Sequence, residues 1–431
     1  MKPVQVIEVR MWGAKMGAVA LDPTLGVYAF AYDPKWKRKG VEVAPLTMPL
    51  PDSRSVFVFP ALPKDTYLGL PAMLADALPD DFGNALIDAW MATQGVAKKS
   101  ITVLDRLAYM GQRGMGALEF KPARGSHKES ATPIAMKELV EEARRLVQGT
   151  FAVDHEAKAA LANIIRVGTS AGGARAKAVI AWNPKTDEVR SGQFDVAPGF
   201  EHWLLKFDGV GKDRELGTGE GYGRIEYAYS QMAKAAGIQM SPCRLLEENG
   251  RAHFMTKRFD RHVTPSGETH KHHVQTLCAM NHLDFRQRGT HAYAQLFLTI
   301  SQLGLGDDAV SEAFRRMAFN VMARNCDDHT KNFSFLLHEG RSWELAPAYD
   351  VTHAYNPTGE WTYQHLMNIN GEFQGITRDD LLTDADRFSV RKPREILGEV
   401  RAAIENWSAF ALEAGMEDTL RDRVARDFHL L

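Results

Sequence analysis

Two short patterns in the last third of the chain carry the residues best suited to do chemistry: N-C-D-D-H-T-K-N at 325–332 and A-Y-D-V at 348–351. Phosphoryl transfer needs a carboxylate to orient or deprotonate the attacking hydroxyl. It also needs an amide oxygen and a second carboxylate to hold magnesium against the phosphates. Asp327 and Asn332 have the D-x-x-x-x-N spacing used for the first two tasks, and Asp350 follows where the third belongs. Val351 stands next to Asp350 and the Gly of a D-F-G triplet is missing, so the pattern is atypical. The plainer reading of 325–332 is a solvated acidic turn with an Asn at a coincidental offset, since a two-letter pattern is weak alone. Its setting raises it, because an apolar helical segment precedes it and the apolar strand FSFLL follows.

Two further segments supply cations. G-T-S-A-G-G-A-R-A-K at 168–177 has the small residues that let backbone N–H groups approach phosphate oxygens, with Lys177 adding charge. It matches neither a Walker A motif nor G-x-G-x-x-G, and a tight turn before a strand is its bland reading. Lys206 ends the apolar run HWLLKFDG. Such a Lys usually just snorkels to water, but a strand Lys can also contact phosphates and pair with a helix Glu, for which Glu226 is the candidate.

These residues need elements to position them. Residues 1 to about 60 read as short strands broken by Gly and Pro, and residues 65 to about 165 as helical, with a turn-rich stretch at 121–133. Beyond 166 the texture is α+β. EHWLLKFDG reads as a buried strand, GRIEYAYSQMAKAAGI as a helix closed by Gly237, and RLLEENGRAHFMTKRFDR as a hairpin turning at Asn249-Gly250. DDAVSEAFRRMAFNVMARN places Val310, Phe314, Met317 and Val321 on one helical face and runs into the acidic loop. From about 378 the chain reads as helical.

Composition narrows the class. The 431 residues suffice for two or three structural units, and a net charge of −2 gives no bulk reason to expect a nucleic-acid or membrane-surface binder. Three cysteines, Cys243, Cys278 and Cys326, form no C-x-x-C pair, which fits a reducing cytosol. No export signal or membrane-length apolar run is visible, so a soluble cytoplasmic location without membrane partners is expected. The histidines at 270–273 lack organised carboxylate or thiolate partners and read as a solvated turn, not a metal site.

Taken in order, GTSAGGARAK, LLKFDG, TKRFDR, CDDHTKN and PAYDV resemble the HipA family of serine/threonine kinases, toxins of bacterial toxin–antitoxin pairs. The resemblance implies an α+β, atypical two-lobed protein-kinase-like fold with a β-rich N-terminal subdomain and a largely helical C-terminal lobe. It divides the chain into 1–120, an N-terminal subdomain, 121–260, the rest of the N-lobe, and 261–431, the C-terminal lobe. ATP and Mg2+ are the implied cofactors. Asp327 would be the base or hydroxyl-orienting residue, and Asn332 and Asp350 would bind magnesium. The nucleotide would be held by Gly172, Gly173, Ala174, Arg175, Ala176, Lys177, Lys206, Lys257, Arg258, Phe259, His329, Lys331, Asn332, Tyr349 and Asp350. Ser170 matches the residue that family members autophosphorylate, where added negative charge beside bound phosphates would expel the loop. The implied partners are a HipB-like helix-turn-helix antitoxin, with operator DNA reached through it, and a protein substrate such as an aminoacyl-tRNA synthetase (glutamate–tRNA ligase in the prototype). The alternatives are a small-molecule phosphotransferase of kinase-like fold, or an inactive pseudokinase acting as an antitoxin-binding co-repressor.

Overall fold

In the computed structural model, the residues described are 2–79, 81–124, 140–141, 143, 176–192, 196–210, 212–213, 217–218 and 221–431. The chain forms two bodies, each assembled from separated stretches. The first comprises Met1–Gly211, Lys257–Gln275 and Leu336–Ser342, and the second Lys212–Thr256, Thr276–Phe335 and Trp343–Leu431.

The first body begins with an antiparallel sheet in the order β3-β2-β1-β4, made of β1 (Val6–Met11), β2 (Ala14–Asp22), β3 (Val27–Tyr32) and β4 (Glu119–Lys121). Alternation in VIEVRM buries Ile7, Val9 and Met11 on one face, as a half-covered strand requires. Trp12 and Gly13 take φ of 49° and 71°, the left-handed pair that closes a two-residue hairpin. Gly17 on β2 is a close-approach position, because a Cβ there would sit 2.3 Å from the Ala31 carbonyl oxygen. A helix at Val103–Met110 is started by a capping box between Thr102 and Asp105. Buried Asp105 also accepts from the Val4 amide at 3.1 Å, tying the chain's start to this helix. A second group of strands has β5 (Lys177–Trp182) pairing antiparallel with both β6 (Val189–Ser191) and β7 (Glu201–Lys206). All six residues of β5 are buried, Lys177 included.

A buried ionic cluster fastens 257–275 onto the N-terminal stretch. Asp260 is wholly buried and accepts from Arg258 at 2.6 Å, Arg261 at 2.7 Å and the Gly116 amide at 2.7 Å. The same guanidiniums donate to the Gly114 and Gly116 carbonyls. Burial would raise the Asp260 pKa, but the two guanidiniums hold it far below the usual carboxylate range. Asp260→Ala would strand two buried cations, and a loss of about 3–5 kcal/mol is expected. Urea unfolding checks this, and a loss below about 1 kcal/mol would show that the cluster does not hold the body together.

The second body is mainly helical. The helix Tyr222–Ala235 buries Ile225, Tyr229 and Met232 and packs on the hairpin Cys243–Glu248/251–256, which turns at Asn249-Gly250 as expected. Gly223 permits this approach, since a Cβ there would lie 1.9 Å from the Ala252 carbonyl oxygen. Tyr229 forms the centre of the packing. Its ring meets Trp407 edge-on at 5.4 Å and Phe319 at 6.2 Å, and its hydroxyl donates to the Ala323 carbonyl at 2.6 Å. The helices Tyr293–Gln302 and Asp307–Met322 follow, and Arg378–Arg387, Pro393–Glu405, Trp407–Glu413 and Asp418–Asp427 complete the body. No helix among the described residues is long and apolar enough to cross a membrane.

Candidate functional site

The acidic loop is shaped by how the Asp307–Met322 helix ends. Phe314, Met317 and Val321 anchor the helix on the core, and Arg324 then takes a left-handed φ of 54° that reverses the chain. The Asn325 amide returns to the Asn320 carbonyl at 2.9 Å, while Cys326 N–H donates to the Ala354 carbonyl and Ala354 N–H to that of Arg324. A single 3-10 turn at Thr330–Asn332 leads into the strand Ser334–Leu337.

The two adjacent carboxylates are sorted by this geometry into opposite environments. The Asp327 side chain is 48% exposed, with Oδ1 3.8 Å from His329 Nε2. Asp328 is buried and accepts from the Leu366 amide at 2.7 Å, the Tyr293 hydroxyl at 2.7 Å and His365 Nδ1 at 2.8 Å. Three donors satisfy this buried carboxylate. Burial by itself would lower the His365 pKa, but the Asp328 charge beside it raises it to about 10, which favours the imidazolium form. Tyr293 also receives Asn320 Nδ2 at 3.0 Å, and Asn320 Oδ1 accepts from Asn325 Nδ2 at 2.9 Å. A chain of buried hydrogen bonds therefore fixes the backbone on both sides of Asp327 from below.

Asn332 Nδ2 donates to the Asp327 carbonyl at 2.7 Å, which fixes the amide and leaves Oδ1 as an acceptor. Asn332, Tyr349 and Asp350 line one pocket with Arg316, Asn320 and Asp328. Asp350 has a φ of 52°, an uncommon conformation for a residue with a Cβ and one often found where function demands it. The Tyr349 hydroxyl donates to the Lys331 carbonyl at 2.6 Å and pairs with Ser334, binding the Asp350 segment to the 3-10 turn. An amide oxygen and a carboxylate converging on one cavity are the hard oxygen donors suited to magnesium, which takes one or two protein ligands plus phosphate oxygens.

The other residues singled out in the sequence fall in several places. Ser170, Gly172, Gly173, Ala174 and Arg175 lie outside the described residues. Ala176 is buried just ahead of β5, and Lys177 and Lys206 are register partners across β5 and β7, so both side chains project from one sheet face. Lys257 pairs with Glu201 at 2.6 Å, and Arg258 belongs to the Asp260 cluster. Phe259 stands between Arg258 and Asp260 in that same turn, and Glu226 is buried on the Tyr222–Ala235 helix. Lys331 lies over the Phe285 ring, with Nζ 4.8 Å from its centroid, and the His329 ring is 5.3 Å from it.

The histidine run differs from expectation. His270 is exposed on a strand, but His273 is wholly buried with Nε2 bonded to the Val43 carbonyl at 3.2 Å, and His272 packs on His338 at 3.9 Å between ring centres. The cause is strand alternation, which turns His273 into the core where a solvated turn was anticipated. No group of three or more His, Cys, Asp or Glu suited to a metal ion occurs among the described residues.

Residues 7–121 match the family model for the HipA N-terminal domain, and residues 169–408, more than half of the chain, match that for the HipA-like C-terminal domain. The chain belongs to the HipA family. Its fold is that of a HipA chain solved in complex with HipB and operator DNA from Shewanella oneidensis MR-1. The TM-score is 0.68 at 18% identity, covering 97% of this chain and 94% of that one. The proinflammatory kinase CtkA of Helicobacter pylori is a more distant likeness, with a TM-score of 0.33 and 14% identity over 53% of this chain and 88% of its own. Y4mE of Sinorhizobium fredii (strain NBRC 101917 / NGR234), provisionally named a kinase, is 25% identical over 126 residues. That match spans 28% of this chain and 30% of Y4mE. HipA-family membership accords with the α+β texture, the sheet-rich N-terminal region and the helical C-terminal part.

Proposed function

We propose that this chain is an ATP- and magnesium-dependent kinase that phosphorylates Ser or Thr on a protein. The observation that carries this reading is the sorting of the D-D pair. Asp327 is set out toward solvent, and Asn332 is bonded to its carbonyl while sharing a cavity with Asp350. Asn332 and Asp350 would hold magnesium, whose charge would offset that of the phosphates. Asp327 would accept a hydrogen bond from the acceptor hydroxyl and draw its proton as the new P–O bond forms. Lys177 and Lys206, sharing a sheet face, would favour phosphate by their charge. Ser170 would be phosphorylated by the chain itself.

The HipB complex of the Shewanella chain supports a helix-turn-helix antitoxin as the binding partner, with operator DNA reached through it. The protein substrate is a translation component such as an aminoacyl-tRNA synthetase. The test is peptide mapping by mass spectrometry after incubation with Mg-ATP, with an EDTA-treated control. Phosphate on Ser170 in the magnesium sample alone is the expected result. Nucleotide binding with no phosphate on this chain or on any protein of an added lysate would refute a protein kinase.

A further inference from the structure

A pair of cations with no carboxylate partner among the described residues stands beside the candidate base. Phe285 is half-buried, and its ring carries Lys331 Nζ at 4.8 Å and the Arg286 guanidinium carbon at 5.1 Å from its centre. Neither cation has a carboxylate within ion-pair distance among the described residues. Arg288 shows the contrast two residues on, since it lies over Trp361 and is neutralised by Glu360 at 3.1 Å. The Phe285 ring also packs 5.3 Å from that of His329, whose Nε2 is 3.8 Å from Asp327 and whose Nδ1 is buried without a partner.

This group is held rigidly. Asp284 Oδ1 caps the Arg286 amide at 3.0 Å, the Asp284 carbonyl takes the Gln287 amide at 3.0 Å and His291 Nε2 at 2.7 Å, and Thr330 Oγ1 donates to the Leu283 carbonyl at 2.7 Å. The turn carrying Arg286 is thus bonded directly to the loop carrying Asp327. Two cations set against one ring concentrate positive charge that an incoming anion would offset, and the fixed turn holds that charge in place.

We infer that Arg286, seated on Phe285, is a specificity determinant that receives an acidic side chain next to the acceptor hydroxyl of the protein substrate. The inference rests on the kinase reading given above. Asn332 and Asp350 are the donor side of the site, and Asp327 must face the acceptor. The group that reaches Asp327 through His329 and Phe285 therefore borders the acceptor chain. A guanidinium fork matches a carboxylate in two parallel hydrogen bonds, and its exposure lets a peptide reach it.

The test uses the full chain and two fluorescein-labelled peptides with one serine each, flanked by glutamates in one and by glutamines in the other. Anisotropy and phosphate transfer are read from the same samples. Wild type should bind the glutamate peptide about tenfold more tightly than its twin, as for one close charge pair. Arg286→Glu should abolish or invert that preference, Arg286→Lys should keep most of it, and Arg288→Glu, which alters a neutralised residue, should leave it in place. Binding preference that depends on Arg286 without transfer to either peptide would keep the carboxylate contact but overturn its acceptor-side role together with the kinase reading on which that role rests. Equal use of the two peptides, or a preference unchanged in Arg286→Glu, would overturn the assignment and leave the kinase reading standing. Displacement of neither peptide by the other but of both by a short oligonucleotide would also overturn it, in favour of a nucleic-acid ligand.

Discussion

Replacing Asp327 with alanine is expected to slow phosphoryl transfer by about a thousandfold, within the range a positioned base supplies. The fold should be nearly untouched. The side chain is 48% exposed, and surface changes away from packed features are usually within about 0.5 kcal/mol. The loop is held by backbone bonds at Cys326 and Asn332 and by Asp328, none of which needs the Asp327 carboxylate. Radiolabel transfer from Mg-ATP beside a thermal melt separates these effects. Full turnover in the variant would remove Asp327 from the chemistry, and a collapsed melt would make it a structural residue instead.

The neighbouring substitution should behave in the reverse manner. Asp328→Ala leaves the His365 imidazolium, the Tyr293 hydroxyl and the Leu366 amide without their shared acceptor in a buried site. A loss of about 3–5 kcal/mol is expected, with activity falling because the loop loses its support. The pair also sets a pH dependence. His365 has a folded-state pKa of about 10, above its ordinary 6.5. Folding therefore favours the protonated form, and this stabilisation is complete below about 6.5 and fades as pH rises through 10. Chemical denaturation at pH 7 and pH 10 should show the decline in wild type and a much smaller one in His365→Gln. Equal slopes in the two proteins would mean that His365 is neutral and the pair is an ordinary hydrogen bond.

Asp327, Asn332 and Asp350 stand out in the sequence by spacing alone, and the structure brings Asn332, bonded to the Asp327 carbonyl, into one pocket with Asp350; the preceding helix announces itself by apolar periodicity. The Asn249-Gly250 turn was legible for the same local reason. What could not be read is which aspartate of the D-D pair points outward. That is decided by the left-handed Arg324 and by partners such as His365, 37 positions away, where no local pattern relates the residues. Lys177 reads as the charged end of a glycine-rich turn, yet it opens a fully buried strand opposite Lys206. Arg258 and Asp260 in R-F-D-R gave no sign of being an internal ionic clamp, because their partners at Gly114 and Gly116 lie some 144 residues upstream. Phe285 and Arg286 sit in a segment without periodicity, and only contact with Lys331 and His329 gives them meaning.

The interleaving of the two bodies bears on how this protein is made. The first body draws on Lys257–Gln275 and Leu336–Ser342 as well as on its N-terminal stretch. A nascent chain emerging from the ribosome has Gly114 and Gly116 long before Asp260 exists to engage them, and the strip ending at Ser342 arrives later still. Unlike a domain that folds as its own stretch is synthesised, this body must wait until most of the polypeptide has been translated. Until Asp260 is made, the cluster that fastens 257–275 onto Gly114 and Gly116 cannot close, so this body completes its packing late in synthesis.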